Sequence, residues 1–383
     1  MRFFAGAFLF FGMGPAFAWN IHQNVVNRVL QDSEFASRNY LSARISLPCQ
    51  EEEKKEIEAL ASKIQIRADA VPLLSKKKCG SGKPEALSVL EVLKLGIIDE
   101  PDHGMDQDLP DSADPEGYRK WMGGTTGPTS QGFRHMVFPG IEWSSPIRTL
   151  QIPFKRAGAA PDRIEFLGEA SRDYFKAGNP FFGLRLLLWR EHFIQDLLQP
   201  FHVTQVPDAS MLPWKELLSG FVRQSTHAIA NYHYAYEGIA DEMVKAPDER
   251  GVQECLAGQA AKNFEGWVSH IGLSRTKAAP IGSALYLVFG DYLKSKSVDL
   301  PQGVGQIDYY ELLNAREFAL EEEDRKVLSS KDKQDLKRNE QILFGLKELR
   351  THTCELMREA GNLFRGSLDQ ALQELSATSK TGK

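Results

Sequence analysis

Three residues of the kind that ligate divalent metals, His192, Asp196 and His202, fall within one largely apolar stretch, Arg190 to Val203 (REHFIQDLLQPFHV). Residues four apart on an α-helix lie on the same face one turn up, so His192 and Asp196 are set to offer an imidazole and a carboxylate to a single cation. Pro200 bends or restarts the helix and re-aims His202 toward a second, nearby site. A lone His-x-x-x-Asp pair is more often a buried histidine bonded to its helix neighbour than a metal site. What shifts the balance is the rest of the chain. His233 and Glu237 repeat the four-residue spacing, His22 sits in the first turn of an amphipathic segment, and His135 stands among aromatic residues. In the acidic loop after Leu95, Asp99 follows the apolar pair Ile97-Ile98 and is the carboxylate best placed to face inward, with Asp102 and His103 close enough to compete. His227, six residues before His233, lies off the face of the His233-Glu237 pair and reads as structural.

These side chains need helices to hold them, and the chain supplies the pattern. HQNVVNRVLQD from His22 has Val25, Val26, Val29 and Leu30 on one side, and a charged helix spans 50–71 with acidic residues at its positive end. A short helix is expected from Pro84 to Leu95, then further helices from Asp162, from Pro180 through the His192 stretch, from Pro213 to Val244, and over 251–271 and 279–295. Only Phe138 to Arg156 has a strand-like look, as a hairpin or an aromatic loop at the mouth of the site. Near the C-terminus Ile342, Leu346, Leu349, Thr353, Leu356, Ala360 and Leu363 recur at spacings of four and three, a seam that packs on the same domain more readily than it forms a separate module. The fold expected is all-α, a multi-helix domain over 19–299 with a C-terminal helical extension over 300–383.

Residues 1–18 read as a secretory signal peptide: Arg2, an apolar run from Phe3 to Met13 too short to span a bilayer, a Gly14-Pro15 break, and the small-x-small end Ala16-Phe17-Ala18. The mature chain then starts at Trp19 and is exported, periplasmic or secreted. Four cysteines, Cys49, Cys79, Cys255 and Cys354, fit an oxidising compartment, and Cys49 with Cys79, flanking one helix, is the favoured pair. For Cys255 and Cys354, buried free thiols are as good a reading. A net charge of −5 gives no global electrostatic reason to bind nucleic acid. There is no nucleotide-binding Gly loop, nucleophile elbow or repeat array.

The ligand set resembles that of the zinc-dependent phospholipase C family, whose fold is shared with the zinc-dependent single-strand nucleases. HFIQDLLQPFH matches the family's His-x3-Asp-x5-His, His233 to Glu237 matches its His-x3-Glu, and HQNVVNRVL looks like the helix that follows its N-terminal tryptophan. The resemblance covers most of the chain from Trp19 to about residue 295. It implies up to three zinc ions: Asp99, His135, His192 and Asp196 on one, His202, His233 and Glu237 on a second, and Trp19 with His22 on a third, Asp196 bridging the first and third. It also implies phosphodiester hydrolysis, in which the cations lower the pKa of water and neutralise charge on the phosphoryl group, with Asp99 as the catalytic carboxylate. Two substrates then compete. A phospholipid at a membrane surface needs an apolar rim, for which Phe133, Phe138, Trp143 and Phe154 are candidates, Phe133 and Phe138 foremost. Single-stranded nucleic acid is the alternative and needs stacking platforms and a basic track. Glutamate at 237, where the nucleases carry aspartate, favours the phospholipid.

Overall fold

The computed structural model describes residues 21–64, 66–106, 134–144, 149–204, 232–233, 235–246, 251–289, 293 and 333–381. They form an all-α domain with two small antiparallel strand pairs. In chain order the main helices are α1 (His22–Gln31), α2 (Gln50–Ile64), α3 (Val89–Leu93), α4 (Ala160–Lys176), α5 (Pro180–Asp196), α6 (Pro200–Val203), α7 (Gln253–Leu256), α8 (Trp267–Phe289) and α9 (Lys333–Thr381). Between α6 and α7, residues 232–233 and 235–245 are also helical. None of the described helices is long and apolar enough to cross a membrane.

α5 is the axis of the domain. Pro180 at its start has a preset φ and no N–H to waste, and the Asn179 side chain accepts a bond from the Phe182 amide. From Phe181 to Asp196 every residue except Arg190 is buried, so neighbours must cover it on all sides. α4 packs along it, and α1, α8 and α9 close the remaining faces with Val25, Val26, Val29, Ile281, Leu285, Leu356 and Leu363 in one continuous core.

The C-terminal seam is part of that core. Leu349, Thr353, Leu356, Ala360 and Leu363 are all buried, and α9 packs on α8, α7, α1, α4 and α5. The Cys255–Cys354 disulfide ties α7 to α9, and Cys49–Cys79 closes the loop around α2. α9 also comes close to the 256–262 segment because Gly361 and Gly366 lack side chains. A Cβ at Gly361 would meet the Leu256 carbonyl oxygen at 2.3 Å, and one at Gly366 the Lys262 carbonyl oxygen at 2.2 Å.

Several elements differ from the sequence reading. The segment Pro84 to Leu95 is a short strand, β2 (Ala86–Ser88), paired with β1 (Arg44–Ser46), followed by α3 alone. The start of α3 is fixed by a capping box between Ser88 and Glu91, a Ser-x-x-Glu signal that lies inside the expected helix. α2 stops at Ile64 rather than at residue 71, and α8 runs unbroken through Pro280 where two helices were expected. Proline at a helix start and proline inside a buried helix look alike in sequence; here packing against α9 and α6 carries the helix through. The strand-like stretch is a hairpin, β3 (Phe138–Ser144) with β4 (Thr149–Ala157). Gly158 leaves it at φ +109°, and a Cβ there would fall 2.0 Å from the Met136 carbonyl oxygen, so only glycine lets the chain cross at this point.

Candidate metal centre

Five separate segments bring their ligands to the C-terminal half of α5. Helical spacing alone places the His192 Nε2 atom 3.3 Å from Asp196 Oδ2. α1, buried on its valine face, sets the His22 ring 4.0 Å from the His192 ring. His135 arrives just before the hairpin, locked in place because the Val137 N–H donates to the His202 carbonyl at 2.9 Å. α6 restarts the chain after Leu197, with the Gln199 side chain capping it, and presents His202 to His233 and Glu237. The last contributor is a wide turn, Pro101–Met105, closed by an i to i+5 bond from the Asp106 amide to the Pro101 carbonyl at 3.3 Å. Turns of this π type are frequent at functional sites. This one directs Asp102 into the centre.

Three groups of ligand atoms result. In the first, His135 Nδ1 lies 2.7 Å from Asp196 Oδ2 and 3.2 Å from His192 Nε2, and Asp102 Oδ1 lies 3.4 Å from His192 Nε2 and 3.9 Å from His135 Nδ1. In the second, His202 Nε2, His233 Nε2 and Glu237 Oε1 are 2.8 to 3.3 Å apart. The third shares residues with the first: His22 Nε2 lies 3.5 Å from Asp196 Oδ1 and 4.0 Å from Asp102 Oδ2. Ligands held tetrahedrally at about 2.0–2.1 Å from one ion stand roughly 3.3 Å from each other. The observed separations, 2.7 to 4.0 Å, lie on either side of that spacing.

The groups are poor neighbours for one another without a cation. His22 Nε2, both oxygens of Asp102 and Asp196 Oδ1 are buried and accept no hydrogen bond. Each such buried, unsatisfied atom costs about 1–3 kcal/mol, and a bound ion satisfies several at once. The outer nitrogens, by contrast, are engaged. His192 Nδ1 donates to the Ile98 carbonyl at 2.8 Å, His135 Nε2 faces Asp106 Oδ2 at 3.1 Å, and His22 Nδ1 faces Gln195 Oε1 at 3.0 Å. Asp106 is itself fixed by Arg163 Nη1 at 2.8 Å. Such partners hold the outer nitrogen and orient each ring, so that the inner nitrogen is the one turned to the centre.

Charge follows the same geometry. Burial opposes ionisation of Asp196, but His192 and His135 outweigh it and hold the carboxyl well below the usual range. Against the same burial, His202 and His233 bring Glu237 down to about 2, and Arg163 and His135 bring Asp106 to about 2. Burial disfavours a proton on His135 and His22, yet the carboxylates around them raise the first to about 10 and the second to about 8. The pocket is built to hold positive charge.

Of the residues singled out in the sequence, His22, His135, His192, Asp196, His202, His233 and Glu237 all enter one of the groups. Asp99 does not. Its carboxylate accepts the Gln23 amide at 3.3 Å, satisfying an orphan N–H in the first turn of α1; it buttresses the helix that carries His22, and its charge also favours a proton on that ring. The inward carboxylate is Asp102, three residues later, because the 3-10 turn Ile97–Asp99 spends the first acid on capping before the wide turn re-aims the chain. Trp19, Phe133 and His227 lie outside the described residues. Phe138 is half-buried at the start of β3; Trp143 and Phe154 are on the hairpin, with side chains outside the description. Asp106, Gln195 and Arg163 carried no spacing signal that would have marked them. No family model, curated protein or solved structure matches the chain.

Proposed function

We propose that the protein is an exported, zinc-dependent phosphodiester hydrolase of the phospholipase C type, cleaving the glycerol–phosphate bond of phospholipids. The observation that carries this reading is the sharing of Asp196: its Oδ2 belongs to the group of His135 and His192 and its Oδ1 to that of His22. Sites joined by one carboxylate hold their ions close together, as in-line displacement at phosphorus requires. Imidazole and carboxylate donors in groups of three or four suit zinc and leave positions open. Zinc bound there supplies Lewis acidity toward water and phosphoryl oxygens.

The protein's own residues do the rest. Asp102 takes the inward position expected of Asp99, with one oxygen toward each of two groups. Asp106, Gln195 and the Ile98 carbonyl orient the three rings around it. The two disulfides support export, since such bonds persist in oxidising compartments. For the substrate, the half-buried Phe138, three residues after His135, and the acidic net charge favour a lipid over a polyanion.

The test is a parallel assay of the zinc-loaded mature protein on phosphatidylcholine vesicles and on single-stranded DNA and RNA. Release of phosphocholine with no nucleolysis is expected. Nucleolysis alone overturns the lipid assignment and leaves the diesterase; inactivity on every substrate with full metal content overturns the enzyme.

A further inference from the structure

On the far side of α5 from the metal centre, α4, α5 and α9 enclose a second feature that the phosphodiesterase reading does not use. Arg190 is two residues before His192, and about 200° of helical rotation therefore points it away from the ligands. Its guanidinium lies 5.0 Å over the Phe264 ring, and Nη1 donates to Glu191 at 3.2 Å. Its Nε–H is buried and has no acceptor. Arg190 also lines a solvent-connected cleft of about 40 Å³, together with Arg172, Ser171, Ser367 and Gln370. A single water needs roughly 10–15 Å³ by the same measure, so the cleft has room for a group larger than one water.

The two arginines converge because of Gly168. A Cβ at that position would lie 3.0 Å from Arg190 Nε and 3.7 Å from Arg172 Nη1, so the missing side chain is what makes room for both. Like charges brought this near repel, and among the described residues that line the cleft none is a carboxylate, Glu191 reaching Arg190 from outside the lining. Arg190 already has the buried Glu191 on one nitrogen; Arg172 is exposed at the lip. Ser171 is spent on the Gly183 carbonyl and Ser367 on Glu191, so the groups turned to the cleft are the two guanidiniums and the Gln370 amide, donors that recognise tetrahedral oxyanions.

We propose that this cleft binds a small tetrahedral oxyanion, sulfate or a phosphate group, between Arg172 and Arg190. The site stands apart from the metal centre, so its test can fail without touching the catalytic reading, and the reverse. Sodium sulfate is titrated calorimetrically at low ionic strength into the full-length mature protein, into Arg172→Glu and into Asp196→Asn. The expected result is saturable binding that weakens at least tenfold in Arg172→Glu and is unchanged in Asp196→Asn. Arg172 is exposed, so its replacement leaves the fold intact, which a thermal melt verifies. A repeat with glycerol 3-phosphate separates the sources of the anion: competition for the Arg172-dependent site means that the mouth admits an organic phosphate, and its absence means a free ion. The proposal is overturned if sulfate does not bind, if it binds Arg172→Glu as tightly as the parent, or if binding disappears in Asp196→Asn.

Discussion

Asp102 and Asp99 lie on one short loop, and the structure separates their work. Asp102 has two buried oxygens with no hydrogen-bond donor, whereas Asp99 accepts the Gln23 amide. Replacing Asp102 by Asn therefore removes charge where two ligand groups meet and is expected to lower bound zinc, while Asp99→Asn keeps an oxygen for the amide and full metal content. Metal analysis of the two variants side by side checks this; equal losses would count against the assignment. One step outward, Asp106→Asn weakens the hold on His135 and is expected to reduce zinc affinity about 10–100-fold, read by competition with a chelator. Residues at helical spacing were legible in the sequence, because His192 with Asp196 and His233 with Glu237 need only the 3.6-residue period to be brought together. Asp102 was not. Its direction depends on one 3-10 turn followed by one i to i+5 turn, and neither leaves a periodic trace.

At the scale of elements, α5 is held to the Asp102 loop by a buried ionic network. Arg185 bonds Glu100 through Nε at 3.0 Å and Nη2 at 2.7 Å, and Glu53 through Nη1 at 2.6 Å; Trp189 Nε1 adds a bond to Glu100 at 2.7 Å. Glu53 in turn accepts the amides of Leu74 and Ser75, so α2, the 72–75 segment, α5 and the turn that follows Glu100 are one unit. Breaking a buried pair by removing one partner costs about 3–5 kcal/mol. Arg185→Ala is expected to lose that much stability in urea unfolding and to loosen zinc; a loss under about 1 kcal/mol would show that the network is peripheral. None of this was visible beforehand, since no spacing in the sequence links Glu53, Glu100 and Arg185, which come from three separate segments. What was readable is the all-apolar run of α5 and the four-three seam of α9, because burial on a helix imposes a period. The β1–β2 pair was missed for the opposite reason: three residues a side carry too little pattern.

For the molecule as a whole, the C-terminal helix and the start of the mature chain bound the account. α9 completes the core around α5, so residues 333–372 belong to the same folding unit as the metal centre. At the other end, the proposed export would, with cleavage after Ala18, give Trp19 a free amine three residues before His22. A peptide nitrogen is a poor zinc ligand, so one residue added ahead of Trp19 is expected to leave a folded protein with a weakened third zinc and little turnover. Unchanged zinc and activity in that extension would remove Trp19 from the centre. The most direct test of the three-group centre is the metal count of purified, zinc-supplemented mature protein beside Asp196→Asn and Glu237→Gln. The account predicts three ions per chain in the parent, two in Glu237→Gln, and one in Asp196→Asn, because the shared carboxylate serves two groups. One ion or fewer in the parent, or equal losses in the two variants, would contradict it.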